Sequence, residues 1–189
     1  MALEQWEFDL VHSSIGFWVR HMMVTKVHGR FAKWNGKLEF DEQAPAASRV
    51  ELQIEAASID TQEPQRDGHL RSADFLDAEK FPSLTFKSTS VEPAGEGNFR
   101  VKGDLTIRGT RHPVVLEVEY GGRVQDPAGG QRVGFSARTS LSRKDFGLNW
   151  NQALEAGGVL VGDKVEVLLE VEAVRKAAQG PVAATRQSA

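Results

Sequence analysis

Polar and apolar residues alternate over much of this chain. Val50-Glu-Leu-Gln-Ile-Glu55 has the period of two that a strand with one wet face must show. The same period runs through Phe99 to Ile107, Val133 to Leu141 and Lys164 to Glu172. Turn signals separate these runs. Asn35-Gly36 predicts a type I′ hairpin, whose two central positions both need positive φ. Glu92 to Asn98, Arg108 to Thr110 and Asp126 to Gly130 read as further turns, as do Gly121-Gly122 and Gly157-Gly158. The pattern gives about eight strands of roughly 7 to 11 residues, longer than the usual mode. Long alternating strands joined by hairpins predict an all-β fold, an extended eight-stranded antiparallel β-barrel rather than a sandwich of short strands.

Two segments break the alternation and predict short helical inserts. Arg20-His-Met-Met-Val-Thr25 reads as a short helical turn. Pro64 to Phe81 carries Leu70, Ala73, Phe75, Leu76 and Phe81 near helical spacing, with Ser72 as the expected N-cap. From Lys176 the sequence turns small and polar, so residues 1–175 are expected to form the barrel and 176–189 a disordered tail.

Parity assigns the faces. Leu52 and Ile54 point one way, as do Leu84 with Phe86, and Val101 with Leu105 and Ile107. Val114, Leu116, Val118 and Tyr120 form another row, then Val133, Phe135, Ala137 and Leu141, then Val165, Val167, Leu169 and Val171. Gln53, Glu55, Lys87, Arg100, Lys102, Arg138, Glu166 and Glu170 take the opposite faces. An eight-stranded barrel can be filled by its own side chains or can hold one small ligand, and parity alone fits both. Small residues among the large ones (Ser88, Gly103, Ala137) lean towards a channel. A second apolar concentration lies at Ile15, Phe17, Val19, Met22, Met23, Val24, Val27 and Phe31, with Trp18 and Trp34 on the other parity. Methionines suit an irregular guest, and a barrel plug explains the cluster equally well.

Composition narrows the chemistry. The net charge of −3 gives no electrostatic reason to expect a nucleic-acid partner. Without cysteine there are no disulfides and no thiolate chemistry. The start Met1-Ala-Leu-Glu-Gln-Trp has neither a basic segment nor an apolar run, and no stretch has the length of a membrane span, which leaves open a transient membrane contact. The expectation is a cytoplasmic protein, or a periplasmic one if the sequence is a trimmed mature form. His12, His21, His28, His69 and His112 lack the close pairing of a zinc site, so no metal is expected. No Gly-x-Ser-x-Gly elbow and no phosphate-cradling loop occur, and no catalytic machinery is visible.

Six ordered blocks give the chain a resemblance. They are Trp6 to His21 with Val27-His-Gly-Arg-Phe31; Ser58-Ile-Asp-Thr61; Arg66 to Pro82 with Leu84-Thr-Phe86; Gly103 to Val114; Arg143-Lys-Asp-Phe-Gly-Leu148; and Val161-Gly-Asp-Lys-Val165. Together they resemble the YceI-like family of polyisoprenoid-binding proteins over about residues 4 to 174. The resemblance implies a lipocalin-like barrel with an isoprenoid chain threaded through its pore, a polyprenyl phosphate or an isoprenoid quinone. It also implies a binding protein without a catalytic cofactor, and dimers are known in the family. On that reading Phe17, Val19, Met23, Phe31, Leu52, Ile54, Leu70 and Phe75 line the channel, together with Phe86, Val101, Leu105, Leu116, Phe135, Ala137 and Phe146, with Trp150 near one mouth. Arg20, His21 and Arg143 are the expected head-group contacts. Two other readings stay open, an enzyme acting on isoprenoid or quinone precursors and a stress-related protein-binding module.

Overall fold

The computed structural model describes residues 3–177, so nearly all of the expected tail lies outside the described residues. Eleven strand segments form one sheet: β1 (Glu4–Phe8), β2 (Ser14–His21), β3 (Thr25–Phe31), β4 (Trp34–Phe40), β5 (Arg49–Glu55), β6 (Ile59–Asp60), β7 (Ser83–Pro93), β8 (Asn98–Ile107), β9 (Thr110–Gln125), β10 (Gln131–Ser142) and β11 (Val161–Arg175). They make eight staves. β1 and β2 are successive pieces of one stave, because both pair antiparallel with β11, Phe8 opposite Ala173 and Ile15 opposite Leu169. β3 and β4 form the second stave, pairing with β2 and β1 respectively, and β5 with β6 forms the third. From β7 to β11 each strand pairs with the next. The β1–β11 pairing closes the barrel and leaves the long strands without a free edge.

Trp6 secures the closure. It is 2% exposed, and its indole N–H donates to the Phe40 carbonyl at 3.1 Å. Arg123 lies 5.2 Å over the Trp6 ring and pairs with Glu4 at 2.9 Å, while Arg175 reaches the same carboxylate at 3.0 Å. A second tie is Arg132 of β10, which bonds Asp9 at 2.8 Å, Glu172 at 2.6 Å and Asp126 at 2.9 Å. These charged groups share one guanidinium, so the seam is a network rather than a set of isolated surface pairs.

Several local expectations give way to the tertiary structure. Asn35-Gly36 is not a turn; both residues lie inside β4, opposite Gln53 and Leu52. Gly36 is there for space. A Cβ would lie against the Glu51 carbonyl oxygen and 2.9 Å from the Phe8 ring. Trp34, on the same stave, is buried rather than outward. Arg20 to Thr25 is not helical either: β2 and β3 are joined by a three-residue turn, Met22 to Val24, in which Met22 and Met23 have φ of 52° and 63°. The Val24 N–H closes that turn on the His21 carbonyl at 3.0 Å. Gly121-Gly122 lies within β9, where the pairing with β10 shifts at Gly134 and Gly122 takes φ 105° as a bulge requires.

The insert is shorter than its apolar spacing predicts. Helix α1 covers Pro64–Arg71 alone. Its N-cap is Glu63, whose carboxylate accepts from the Arg66 N–H at 2.6 Å and the Gln65 N–H at 3.3 Å. Ser72 ends the helix instead of starting one, donating its hydroxyl to the His69 carbonyl at 2.6 Å. Beyond it Asp77 has φ 47°, which a continuing helix cannot accept, and Ala73 is exposed.

Candidate functional site

The inward rows do not fill the barrel. Among the described residues they leave a cavity of about 90 Å³ and another of about 180 Å³, and the accessible wall of each is wholly apolar. They lie one beyond the other along the same strands. β5 gives Leu52 to the first and Ile54 to the second, β7 gives Phe86 and Leu84, and β11 gives Leu169 and Val167.

The smaller cavity lies where β1, β4 and the loop after β4 meet. Phe8, Leu38 and Phe40 enclose it with Phe86, Val101, Leu116, Phe135 and Ala137. A short 3-10 turn, Pro45–Ala47, covers this end, with Pro45 and Ser48 on the wall. Phe40, Tyr120 and Phe135 stack mutually with ring centroids 5.1 to 5.3 Å apart, tilted or edge-on as aromatic quadrupoles prefer. Two hydroxyls at this end are buried without a well-formed hydrogen bond, those of Ser48 and Tyr120. Burial first, then the neighbouring Glu42 carboxylate, push the Tyr120 pKa up to about 12.

The larger cavity lies at the insert end. Phe17, Val19, Phe31, Ile54, Leu70, Phe75 and Leu105 all line it, with Ile59, Leu76 and Leu148. Phe17 folds onto Gly29, and a Cβ there would overlap its ring. The same economy operates at Gly103 in the other half, where the Phe86 ring occupies the space of the missing side chain. The insert is pinned in place by polar groups facing away from the cavity. Asp67, 7% exposed, accepts from the Thr61 backbone N–H and its hydroxyl, and Arg66 donates to the Thr61 hydroxyl and carbonyl oxygens. Arg108 donates to the Phe75 carbonyl at 3.0 Å.

Three of the residues expected to line the channel sit elsewhere. Met23 is 67% exposed at the tip of the β2–β3 hairpin, because the turn there projects it outward. Phe146 is buried on the 3-10 turn Arg143–Phe146 and packs edge-on to His112, outside both cavity walls. Trp150 packs against His69 and Phe75 at 4.6 and 5.3 Å, backing the wall without forming it. Conversely Phe8, Leu38 and Phe40 line the smaller cavity unannounced. Their period-two spacing was the available signal, hidden by the apparent turn at Asn35-Gly36.

The three expected head-group contacts have different fates. Arg143 is 3% exposed and donates to four carbonyls, Leu148 at 2.6 Å, Trp150 at 2.8 Å, Gly162 at 2.9 Å and Val161 at 3.3 Å. Its side chain ties the loop after β10 to the start of β11. Burial lowers its pKa, opposed by Asp163 at 3.6 Å. Arg20 and His21 lie at the end of β2 beside the larger cavity, where His21 pairs with the lining residue Val161. Among the described residues one group of potential metal ligands converges, Asp9, His12 and Glu172. Arg132 already donates to two of its three members, which accounts for their convergence.

This geometry has close parallels. A UPF0312 protein of Vibrio cholerae is 43% identical over 165 residues, covering 87% of this chain and 83% of that protein. One from Shewanella baltica is 39% identical over the same coverage. Among solved structures, a Campylobacter jejuni YCEI protein superposes with a TM-score of 0.69 at 28% identity, covering 84% of this chain and 90% of that one. Burkholderia cenocepacia BcnA gives a TM-score of 0.78 at 23% identity, covering 87% of this chain and 98% of that one. A polyisoprenoid binding domain from Saccharophagus degradans, implicated in plant cell wall breakdown, gives 0.66 at 14% identity over 92% of this chain and 99% of that one. With the YceI-like domain matched from residue 6 to residue 173, the chain belongs to the YceI-like family.

Proposed function

We propose that this protein binds and carries, or stores, a long isoprenoid lipid whose tail runs along the barrel axis through both cavities. The observation that carries the reading is the pair of wholly apolar cavities aligned along one set of strands. An apolar void of roughly 150 Å³ stays dry and takes up a benzene-sized guest. The larger cavity is of that order, and a long tail requires rotation of wall side chains such as Phe86 and Leu52. Burying about 20 isoprenoid carbons supplies roughly 16 kcal/mol gross, before the cost of ordering a flexible chain. Such a ligand needs few polar contacts. The name of the Saccharophagus domain adds support at the level of the fold.

The walls favour binding over catalysis. Among the described residues neither cavity is lined by a histidine or a carboxylate, and the donors of Arg143 are committed to backbone carbonyls. A charged head group therefore stays outside, beside Arg20 and His21, whereas a neutral quinone ring can enter. Native mass spectrometry of the purified protein, followed by organic extraction, tests the reading. A prenyl lipid bound one to one is the expected result; protein that is repeatedly empty and takes up no prenyl lipid overturns it.

A further inference from the structure

The turn between β2 and β3 is built against its own conformational preference. A β-turn with positive φ at both central positions favours Asn-Gly, yet here two methionines occupy them within a three-residue connection. A bulky residue at positive φ is a conformational outlier that persists only when something else favours it. These side chains are not buried. Met22 is 44% exposed, Met23 67% and Val24 74%, and Val159 of the adjoining loop adds 37%. The two loops form one patch. The Met22 N–H donates to the Leu160 carbonyl at 2.8 Å, and the Met23 sulfur lies against Gly158.

Below this apolar tip is a cationic collar. Arg20 and Lys26 face each other across the hairpin, and both lie over the Trp18 ring, at 5.6 and 4.2 Å. Neither forms an ion pair among the described residues, whereas Glu166, Asp163 and Asp60 pair with Lys164, Lys144 and Arg30; Lys26 lies within the field of Glu166, and Glu155 of the adjoining loop is exposed. An apolar tip, a tryptophan at the level of the charges and free cations match the layers of an anionic bilayer, from acyl chains through the interface to phosphate. The tip also stands at the insert end of the barrel, where β2 contributes Val19 to the larger cavity.

We infer that the β2–β3 hairpin tip inserts into an anionic membrane surface and holds the insert end of the barrel against it. This deepens the carrier reading, since it selects the end at which a lipid is exchanged, but docking can be measured without any isoprenoid. The chain has no cysteine, so Val24→Cys and Val124→Cys each accept one environment-sensitive fluorophore. Position 124 is 62% exposed near the opposite end of the barrel. Vesicles of equal parts phosphatidylglycerol and phosphatidylcholine, free of isoprenoid, are expected to blue-shift the label at 24 and leave the label at 124 unchanged. Arg20→Gln with Lys26→Gln should weaken partitioning onto these vesicles roughly tenfold or more and leave the weaker binding to neutral phosphatidylcholine unchanged. Met22→Asn with Met23→Gly restores a relaxed turn, so it should raise the melting temperature while lowering vesicle binding about tenfold. A label at 24 that stays in water, equal responses at both positions, or variants that partition like the native protein overturn the inference. So does a tip-dependent dimer in place of vesicle binding. Failure here leaves lipid carriage standing, and vesicle docking by protein that never takes up a prenyl lipid overturns carriage alone.

Discussion

Replacing Arg143 separates a structural role from a ligand-binding one. Arg143→Met keeps the apolar stem and removes the guanidinium that serves four carbonyls at 2.6 to 3.3 Å. The bond to Leu148 is fully buried, so its loss costs about 2 kcal/mol, the penalty of an unpaired buried acceptor. The other three lie nearer the surface and recover water, at roughly 0.5 kcal/mol each. Total destabilisation of about 3 to 4 kcal/mol follows, in line with breaking other buried charged networks. Lysine retains the charge but not the planar fork, so Arg143→Lys should still lose about 2 kcal/mol. Urea unfolding followed by circular dichroism measures both, and extraction of prenyl lipid from the folded variants measures binding. A loss under about 1 kcal/mol for Arg143→Met, together with abolished lipid binding, refutes the structural assignment and returns Arg143 to the head group.

Three further outcomes are expected. Gly103→Ala pushes a Cβ into the Phe86 ring and the Lys87 carbonyl, so it should destabilise the barrel by about 1 to 3 kcal/mol in thermal melts, and shortening Phe86 in the same chain should relieve part of that loss. Ala137→Trp fills the smaller cavity from β10; retained prenyl lipid should fall several-fold while far-ultraviolet circular dichroism remains that of the barrel. The seam network also sets a pH window. His12 and Arg132 hold Asp9 well below its ordinary 3.8, so its contribution is present above that value and lost on acidification. Asp9 raises His12 above 6.5, so the His12 contribution is complete below 6.5 and lost as pH rises through the folded value. Melting temperature should therefore be highest between about pH 4 and 6.5, and Asp9→Asn should flatten both limbs. An unchanged profile in that variant contradicts the assignment.

Much of the barrel was legible because period two fixes side-chain direction wherever one face is buried. Leu52, Ile54, Phe86, Val101, Leu116, Phe135 and Ala137 all face the interior as their parity requires. What escaped depends on contacts distant in sequence. Gly36 is required by a carbonyl fifteen residues on, at Glu51, and its neighbour Asn35 made it look like a turn. Met22 and Met23 hide a turn because no local rule expects bulky residues at positive φ. Arg143 looked like a free cation until the loop to β11 closed over it. Nor did alternation distinguish a packed interior from a hollow one, since cavity volume depends on how rings such as Phe17 and Phe86 fold onto opposing glycines.

The central claim is that one apolar tail occupies the barrel from end to end. Titrating isoprenoid quinones of identical head group and increasing chain length tests it most directly, with binding followed by intrinsic tryptophan fluorescence or calorimetry. Each added five-carbon unit buries roughly 4 kcal/mol of apolar surface gross, so even after ordering costs the Kd should fall at least about tenfold per unit. That gain should continue until the interior is full, then level off. Affinity independent of chain length would mean that only the head group is recognised, and it would contradict the account.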